Sequence, residues 1–298
     1  MKHLVTIVVL LLINSVVRAE LNVFACEPEW ASLATELGGS NVRATSATTA
    51  FQDPHYIQAR PSLIANVRRA DLVICSGAQL EIGWLPALLQ KANNPDVVPG
   101  TMGYLEASAF VRRLEATANV DRSQGDIHPD GNPHVQTNPH NISLIAAELA
   151  DRLQKLDPDN ASEYLARGND FAARFSAATV DWETRLAPLR GKRVIPHHKS
   201  WIYLLQWLGL EEVATLEDIP GIPPTTNHLS QLVSRFSDGQ ADLIIRAPYQ
   251  DSRASEWLSE RTNIPAIVLP LTVGSSDEST DLFGFFDDIA NTLLGALQ

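Results

Sequence analysis

The 298-residue chain is poor in cysteine, poor in basic side chains and without any apolar run of the length expected of a permanent membrane span. The two cysteines, Cys26 and Cys75, do not form a CxxC, so a zinc ribbon is excluded. There is no HExxH, no GxSxG and no P-loop, which removes the familiar zinc-protease and hydrolase-elbow signatures and ATP hydrolysis by this chain. Gly274-Ser275-Ser276 is too short a glycine signal to argue for phosphate binding. Lysine and arginine number 23 against 35 aspartates and glutamates, a net charge of −12 that becomes −14 if Lys2 and Arg18 are removed with an N-terminal segment. Phosphate contacts need the opposite sign, so a nucleic-acid binder is excluded. What is present is 45% hydrophobic residues, enough for a sizeable core in one large domain or two ordinary ones, and not a composition for disorder, collagen or coiled coil.

Lys2 and His3 precede the apolar run from Leu4 to Ile13, which Asn14-Ser15-Val16-Val17-Arg18-Ala19 closes. This is the layout of a secretory signal peptide over residues 1–19, with cleavage expected after Ala19. The run is about half of the roughly 20 residues a membrane span requires. The mature chain is therefore expected in the periplasm, an oxidising space. Val23-Phe24-Ala25-Cys26 is a poor lipoprotein box, because it lies well past the apolar run and has a bulky Phe24 before the small residue. Cys26 and Cys75 each follow a strand-like stretch, so neighbouring strands would bring the sulfurs to matching ends; a disulfide is favoured over two buried thiols.

Strand-like and helix-like segments alternate in the N-terminal half: residues 21–25, 28–37, 41–45, 60–69 and 71–74. A second series follows: strands at 193–195, 213–216, 241–245 and 266–269, with helices at 201–208, 227–236, 252–261 and 281–297. Such alternation predicts parallel sheets covered by helices. Between the series, residues 141–156 and 160–186 carry helical patterns with no strand signal. Asp157-Pro158-Asp159 separates the two patterns, and Pro188 and Gly191 end the second. The expected architecture is α/β: an N-terminal lobe over 20–157, a stiff spine helix over 158–189 and a C-terminal lobe over 190–298. The alternative is an ordinary surface helix within one continuous domain.

Seven of the eight histidines remain after the signal segment, and they concentrate in loops after strands, where parallel α/β sheets build ligand sites. His55 stands in Asp53-Pro54-His55-Tyr56. His128, His134 and His140 stand in a breaker-rich loop over residues 126–140. His197 and His198 follow the strand at 193–195. Imidazole is a borderline-soft donor, and three imidazoles with one carboxylate would suit tetrahedral Zn²⁺. Any one of these histidines taken alone is more often a packing or surface residue, and spacing does not establish convergence.

Asp53-Pro54-His55, Asn132-Pro133-His134-Val135, Leu156-Asp157-Pro158, and His198 with Trp201, Tyr203, Gly209 and Leu210 behind it resemble, over essentially the whole mature chain, the exported zinc- and manganese-binding proteins of ABC transporters. The resemblance implies one metal ligand from each of three motifs: His55, His134 and His198, the last favoured over His197 by the trailing Gly-Leu. Manganese-type relatives place an aspartate after the last strand. That slot falls here on Val273, and the carboxylates nearby are Asp277, Glu278 and Asp281. Asp281 is favoured as the fourth ligand, with a helix N-cap as its alternative role and a water as the alternative ligand. A histidine in the third position, where manganese-type members have glutamate, points to Zn²⁺ over Mn²⁺. His128 and His140 are expected to be solvated loop residues rather than auxiliary capture sites. The implied function is a monomeric carrier, not an enzyme, that delivers Zn²⁺ to a membrane permease with its ATPase; whether a periplasmic metallochaperone is a further partner is left open by the sequence. The rival from another class is an exported zinc-dependent hydrolase, since three histidines and an open position also describe a catalytic zinc.

Overall fold

A computed structural model describes residues 20–117 and 125–297; the signal peptide expected over 1–19 lies outside the described residues. The N-terminal lobe contains β1 (Leu21–Ala25), α1 (Pro28–Gly38), β2 (Val42–Ser46), α2 (Pro61–Arg69), β3 (Leu72–Cys75), α3 (Leu85–Ala92) and β4 (Tyr104–Glu106). Its strands form a parallel sheet in the order β2-β1-β3-β4. Helices α4 (Pro139–Leu156) and α5 (Ala161–Leu186) follow. The C-terminal lobe contains β5 (Arg193–Pro196), α6 (Ile202–Leu208), β6 (Glu211–Glu212), α7 (Thr226–Phe236), β7 (Leu243–Arg246), α8 (Ser252–Thr262), β8 (Ala266–Val268) and α9 (Leu282–Leu297). Its strands repeat the arrangement, in the parallel order β6-β5-β7-β8.

Alternation along the central strands decides which side of each sheet every residue packs against. In β1, Val23 and Ala25 enter the core shared with the long helices, and Phe24 faces the outer cluster under α2 and α3. In β3, Leu72 and Ile74 take the inner face, and Val73 and Cys75 the outer. Val194, Leu243 and Ile245 do the same in the second sheet, with Ile195 and Ile244 on its far side. Because Ala25 is opposite Ile74, the next residues on the two strands are Cys26 and Cys75, and they are joined as a disulfide. With its sulfur in that bond and its side chain buried, Cys26 is not available as an acyl anchor.

Pro28, Pro61 and Pro139 open α1, α2 and α4, where a missing N–H costs nothing. Helix α5 has 26 residues and is about 39 Å long. Its buried stripe of Tyr164, Phe171, Phe175, Trp182 and Leu186 packs on α4 and α9. Phe175 lies 5.8 Å and Trp182 5.0 Å, centroid to centroid, from Phe286 of α9. One apolar core therefore runs from the first sheet through α4 and α5 into the second. Lobes joined by a continuous core, rather than by a polar linker, do not swing freely.

Three segments differ from the sequence expectation. Residues 213–216 are not a strand: β6 is only Glu211–Glu212, although Val213 N–H still donates to Val194 O at 3.1 Å and Leu216 N–H to Pro196 O at 2.9 Å. This is an edge segment with a partner on one side only, so its pairing is irregular. Helix α3 and strand β4 had no expectation; β4 is three residues long, too short for a period to show.

The disulfide closes a loop of 49 residues, which in the loop-entropy account contributes about 4 kcal/mol. Urea unfolding of a Cys26→Ala/Cys75→Ala double variant should show a loss of that order, and an unchanged midpoint would show that the bond does not constrain the unfolded chain.

Candidate metal centre

Three of the expected ligands converge. His55, His134 and His198 are all buried, and each offers a ring nitrogen within 4.8 Å of the others. Their ring centroids are 5.8 Å (His55 to His134), 5.7 Å (His55 to His198) and 6.1 Å (His134 to His198) apart. They arrive from separate places at the C-terminal ends of the strands: the loop after β2, the segment before α4, and the loop after β5. A cavity of about 640 Å³ between the lobes borders His55 and His198, with Asp53, Glu217 and Tyr249 also in its wall.

Each ring is aimed by its neighbours. Asp53 Oδ1 accepts from the His55 backbone N–H at 3.0 Å and lies 2.7 Å from His55 Nδ1. Burial opposes ionisation of Asp53, but the hydrogen bonds and charge of His55 outweigh it and hold the carboxyl below its ordinary value. Trp84 Nε1 donates to Pro54 O at 2.8 Å and fixes the loop from beneath. On the other side of the cleft Glu217 Oε2 lies 2.7 Å from His198 Nδ1 and accepts from Gly221 N–H at 2.7 Å. A carboxylate only accepts, so the Nδ1 atoms of both rings carry a proton, and the tautomer this selects has its lone pair on Nε2.

His134 is held through its backbone. Its N–H donates to Asn132 Oδ1 at 3.1 Å, and Thr137 Oγ1 donates to His134 O at 3.0 Å. Asn132 Nδ2 donates to Lys199 O at 2.7 Å, and Tyr203 Oη donates to Asn132 O at 2.8 Å. The segment that carries His134 is thus fastened to the residue after His198 and to α6, which sets the distance between ligands from different lobes. His134 Nε2 is buried without a hydrogen-bond partner among the described residues, a costly state for a ring nitrogen unless a ligand meets it.

His128, expected as a solvated loop residue, is instead half-buried against His55, next to the group of three. Its Nε2 is 3.2 Å from His55 Nε2, and the two ring centroids are 5.3 Å apart. Its loop is anchored at both ends: Tyr56 Oη donates to Asp126 Oδ2 at 2.9 Å and Gln79 Nε2 to Asp130 Oδ2 at 2.9 Å. Burial, then the neighbouring His55 and His198, push the His128 imidazole down to about 3 and the His134 imidazole well below its usual range. Both are therefore neutral donors at pH 7.

Asp281 is not brought into this group. It is exposed at the start of α9, where its Oδ1 accepts from Gly284 N–H at 2.8 Å, the capping role that competed with ligation. Asp277 and Glu278 are exposed as well. His140 pairs with Glu183 at 2.8 Å on the surface. His197 stands next to the site, its Nε2 3.6 Å from Glu217 Oε1, and burial lowers its pKa against the pull of that carboxylate. Sequence reasoning missed Glu217; its one signal was a carboxylate directly after the strand-like residues 213–216.

Imidazoles converging at the mouths of two linked parallel sheets define a metal-binding protein of the two-lobed, helix-spined class. The model of the periplasmic zinc-uptake complex component A family (ZnuA) matches residues 23–296, and the chain belongs to that family. It is similar to the high-affinity zinc uptake system protein ZnuA of Yersinia pestis, 24% identical over 82% of this chain and 81% of that one. It is also similar to the manganese ABC transporter substrate-binding lipoprotein scaA of Streptococcus gordonii, 22% identical over 88% and 83%. Among solved structures, a crystal structure of ZnuA superposes with a TM-score of 0.77 at 20% identity, covering 94% of this chain and all (100%) of that one. A manganese-bound mutant of a periplasmic metal-binding protein from Candidatus Liberibacter asiaticus gives 0.74 at 14% identity, covering 94% and 100%. The family is one of substrate-binding components of ABC transporters, not of enzymes, which removes the hydrolase reading.

An imidazole kept neutral by the fold but protonated near pH 6.5 when unfolded makes the unfolded chain bind more protons as pH falls, so stability is lost in that direction. In metal-free protein, the stability of wild type relative to His128→Gln should drop by roughly 2 kcal/mol between pH 7 and pH 5. Urea unfolding at the two pH values checks this, and a pH-independent difference would contradict a buried neutral ring.

Proposed function

We propose that this chain is an exported carrier that captures Zn²⁺ between its lobes through His55, His134 and His198, with His128 as the fourth nitrogen in place of Asp281, and passes the ion to an ABC permease driven by its ATPase. The observation that carries the reading is the convergence of the three buried rings, two of them with Nδ1 held by a carboxylate so that Nε2 faces inward. Nitrogens around a tetrahedral zinc at ordinary bond lengths stand roughly 3.3 Å apart. The 3.2 Å between His55 and His128 already has that spacing, and His134 and His198 each offer a nitrogen within 4.8 Å of His55 and of each other. An all-nitrogen set favours zinc over manganese, which prefers harder oxygen donors. The expected leader at residues 1–19 and the Cys26–Cys75 disulfide both suit the periplasm.

Purified protein titrated against a chromogenic chelator should bind one Zn²⁺ per chain in preference to Mn²⁺. His134→Ala should weaken binding by roughly 100-fold or more, and Glu217→Gln, which keeps the ring but loses its anchoring charge, by about 10- to 100-fold. Unchanged zinc affinity in His134→Ala would remove the ring from the site and overturn the reading.

A further inference from the structure

Three carboxyl side chains, Glu27, Glu29 and Glu81, are buried in the N-terminal lobe at 4%, 1% and 3% exposure. What acts on them is burial, hydrogen bonds and one another; no lysine or arginine pairs with them among the described residues. Ser76 N–H and Oγ–H donate to Glu27 Oε2 at 3.2 and 3.1 Å, Gly77 N–H donates to Glu81 at 3.2 Å, and Thr272 Oγ1 donates to Glu29 Oε2. The remaining oxygens of two of them, Glu27 Oε1 and Glu29 Oε1, have no hydrogen-bond partner among the described residues.

A third, chemically independent oxygen is in the same state. Gln136 is 4% exposed, and its Nε2 donates to Leu271 O at 3.3 Å. A carbonyl only accepts, so that bond fixes the amide with its oxygen turned away, and Gln136 Oε1 is unpartnered too. Glu27, Glu29 and Gln136 line one small cavity, walled also by Thr48 and His134, with room of about 20 Å³. That is the size of a single water-sized occupant. With its carboxyls ionised the chamber presents three acceptors to the two hydrogens of a single water, and a divalent cation is attracted to all three.

We propose that this chamber is a second cation site, separate from the histidine centre, that takes one hard divalent cation of the calcium or magnesium class through Glu27, Glu29 and Gln136. The donor set is all oxygen, which suits such ions and not Zn²⁺. Burial pushes Glu81 up to about 7; burial, with a smaller push from Glu81, does the same to Glu29; and burial, then the charges of Glu81 and Glu29, raise Glu27 well above its ordinary value, the behaviour of carboxyls lacking a positive partner. Glu29 is bonded to Thr272 and Gln136 to Leu271, both in the C-terminal lobe, so an ion held here ties the two lobes together beside His134.

The test uses the full mature chain, loaded with one equivalent of Zn²⁺ and stripped of other metals, titrated with CaCl₂ and with MgCl₂ by calorimetry at pH 7.5. One calcium or magnesium ion per chain is expected. At a hundred times the dissociation constant, the bound ion should raise Tm by roughly 5 °C. Glu29→Gln should abolish the binding and the shift, Gln136→Leu should weaken binding at least tenfold, and Asp281→Asn, at the surface, should leave it unchanged. The wild-type titration stands whether or not the variants fold. No saturable binding of either cation by wild type, or equal binding by a folded Glu29→Gln, would overturn the proposal and leave a chamber for water and shared protons.

Discussion

Two hydrogen bonds of 2.7 Å, Asp53 to His55 on one side of the cleft and Glu217 to His198 on the other, are the constraint on which the centre depends. Each takes the Nδ1 proton of a buried ring and so decides which nitrogen is left as a donor. Without them the rings would turn, choose either tautomer and present a proton where a lone pair is needed. The anionic state of Asp53, favoured by its bonds to His55 against the cost of burial, also supplies negative charge close to where a cation would sit.

The fold converts that local chemistry into a fixed aperture. Successive side chains on β1, β3, β5 and β7 point alternately to an inner and an outer core, and the inner core is continuous through α4, α5 and α9. The Phe175, Trp182 and Phe286 contacts lock the long helix to the last one, so the spacing between the two sheets is set by packing. Asn132 then measures the cleft itself, reaching Lys199 O with its side chain and Tyr203 Oη with its carbonyl. In Asn132-Pro133-His134 the asparagine thus fastens the segment that carries the histidine. The same holds for Tyr203 behind His198.

Much of this was legible in the sequence because periodicity and punctuation are local. The βα alternation, the long helical run ending at Leu186, the paired positions of Cys26 and Cys75, and the three loops carrying His55, His134 and His198 all follow from patterns within short windows. What was not legible depends on contacts across the chain. His128 looked like one histidine in a polar loop, and only the anchoring of Asp126 by Tyr56 and of Asp130 by Gln79 turns it inward. Glu217 follows a segment that pairs only along one edge, so its placement beside His198 has no local signature. Asp281 stands away from the three rings for the converse reason: an aspartate just ahead of a helix satisfies its oxygen on the helix's own N–H groups, here that of Gly284.

The account is tested most directly by diffraction from zinc-loaded crystals on both sides of the zinc absorption edge. It predicts a single anomalous peak between the lobes, about 2.1 Å from ring nitrogens of His55, His134, His198 and His128. A peak bound to Asp281, or one more than a bond length from the His134 ring, would contradict it.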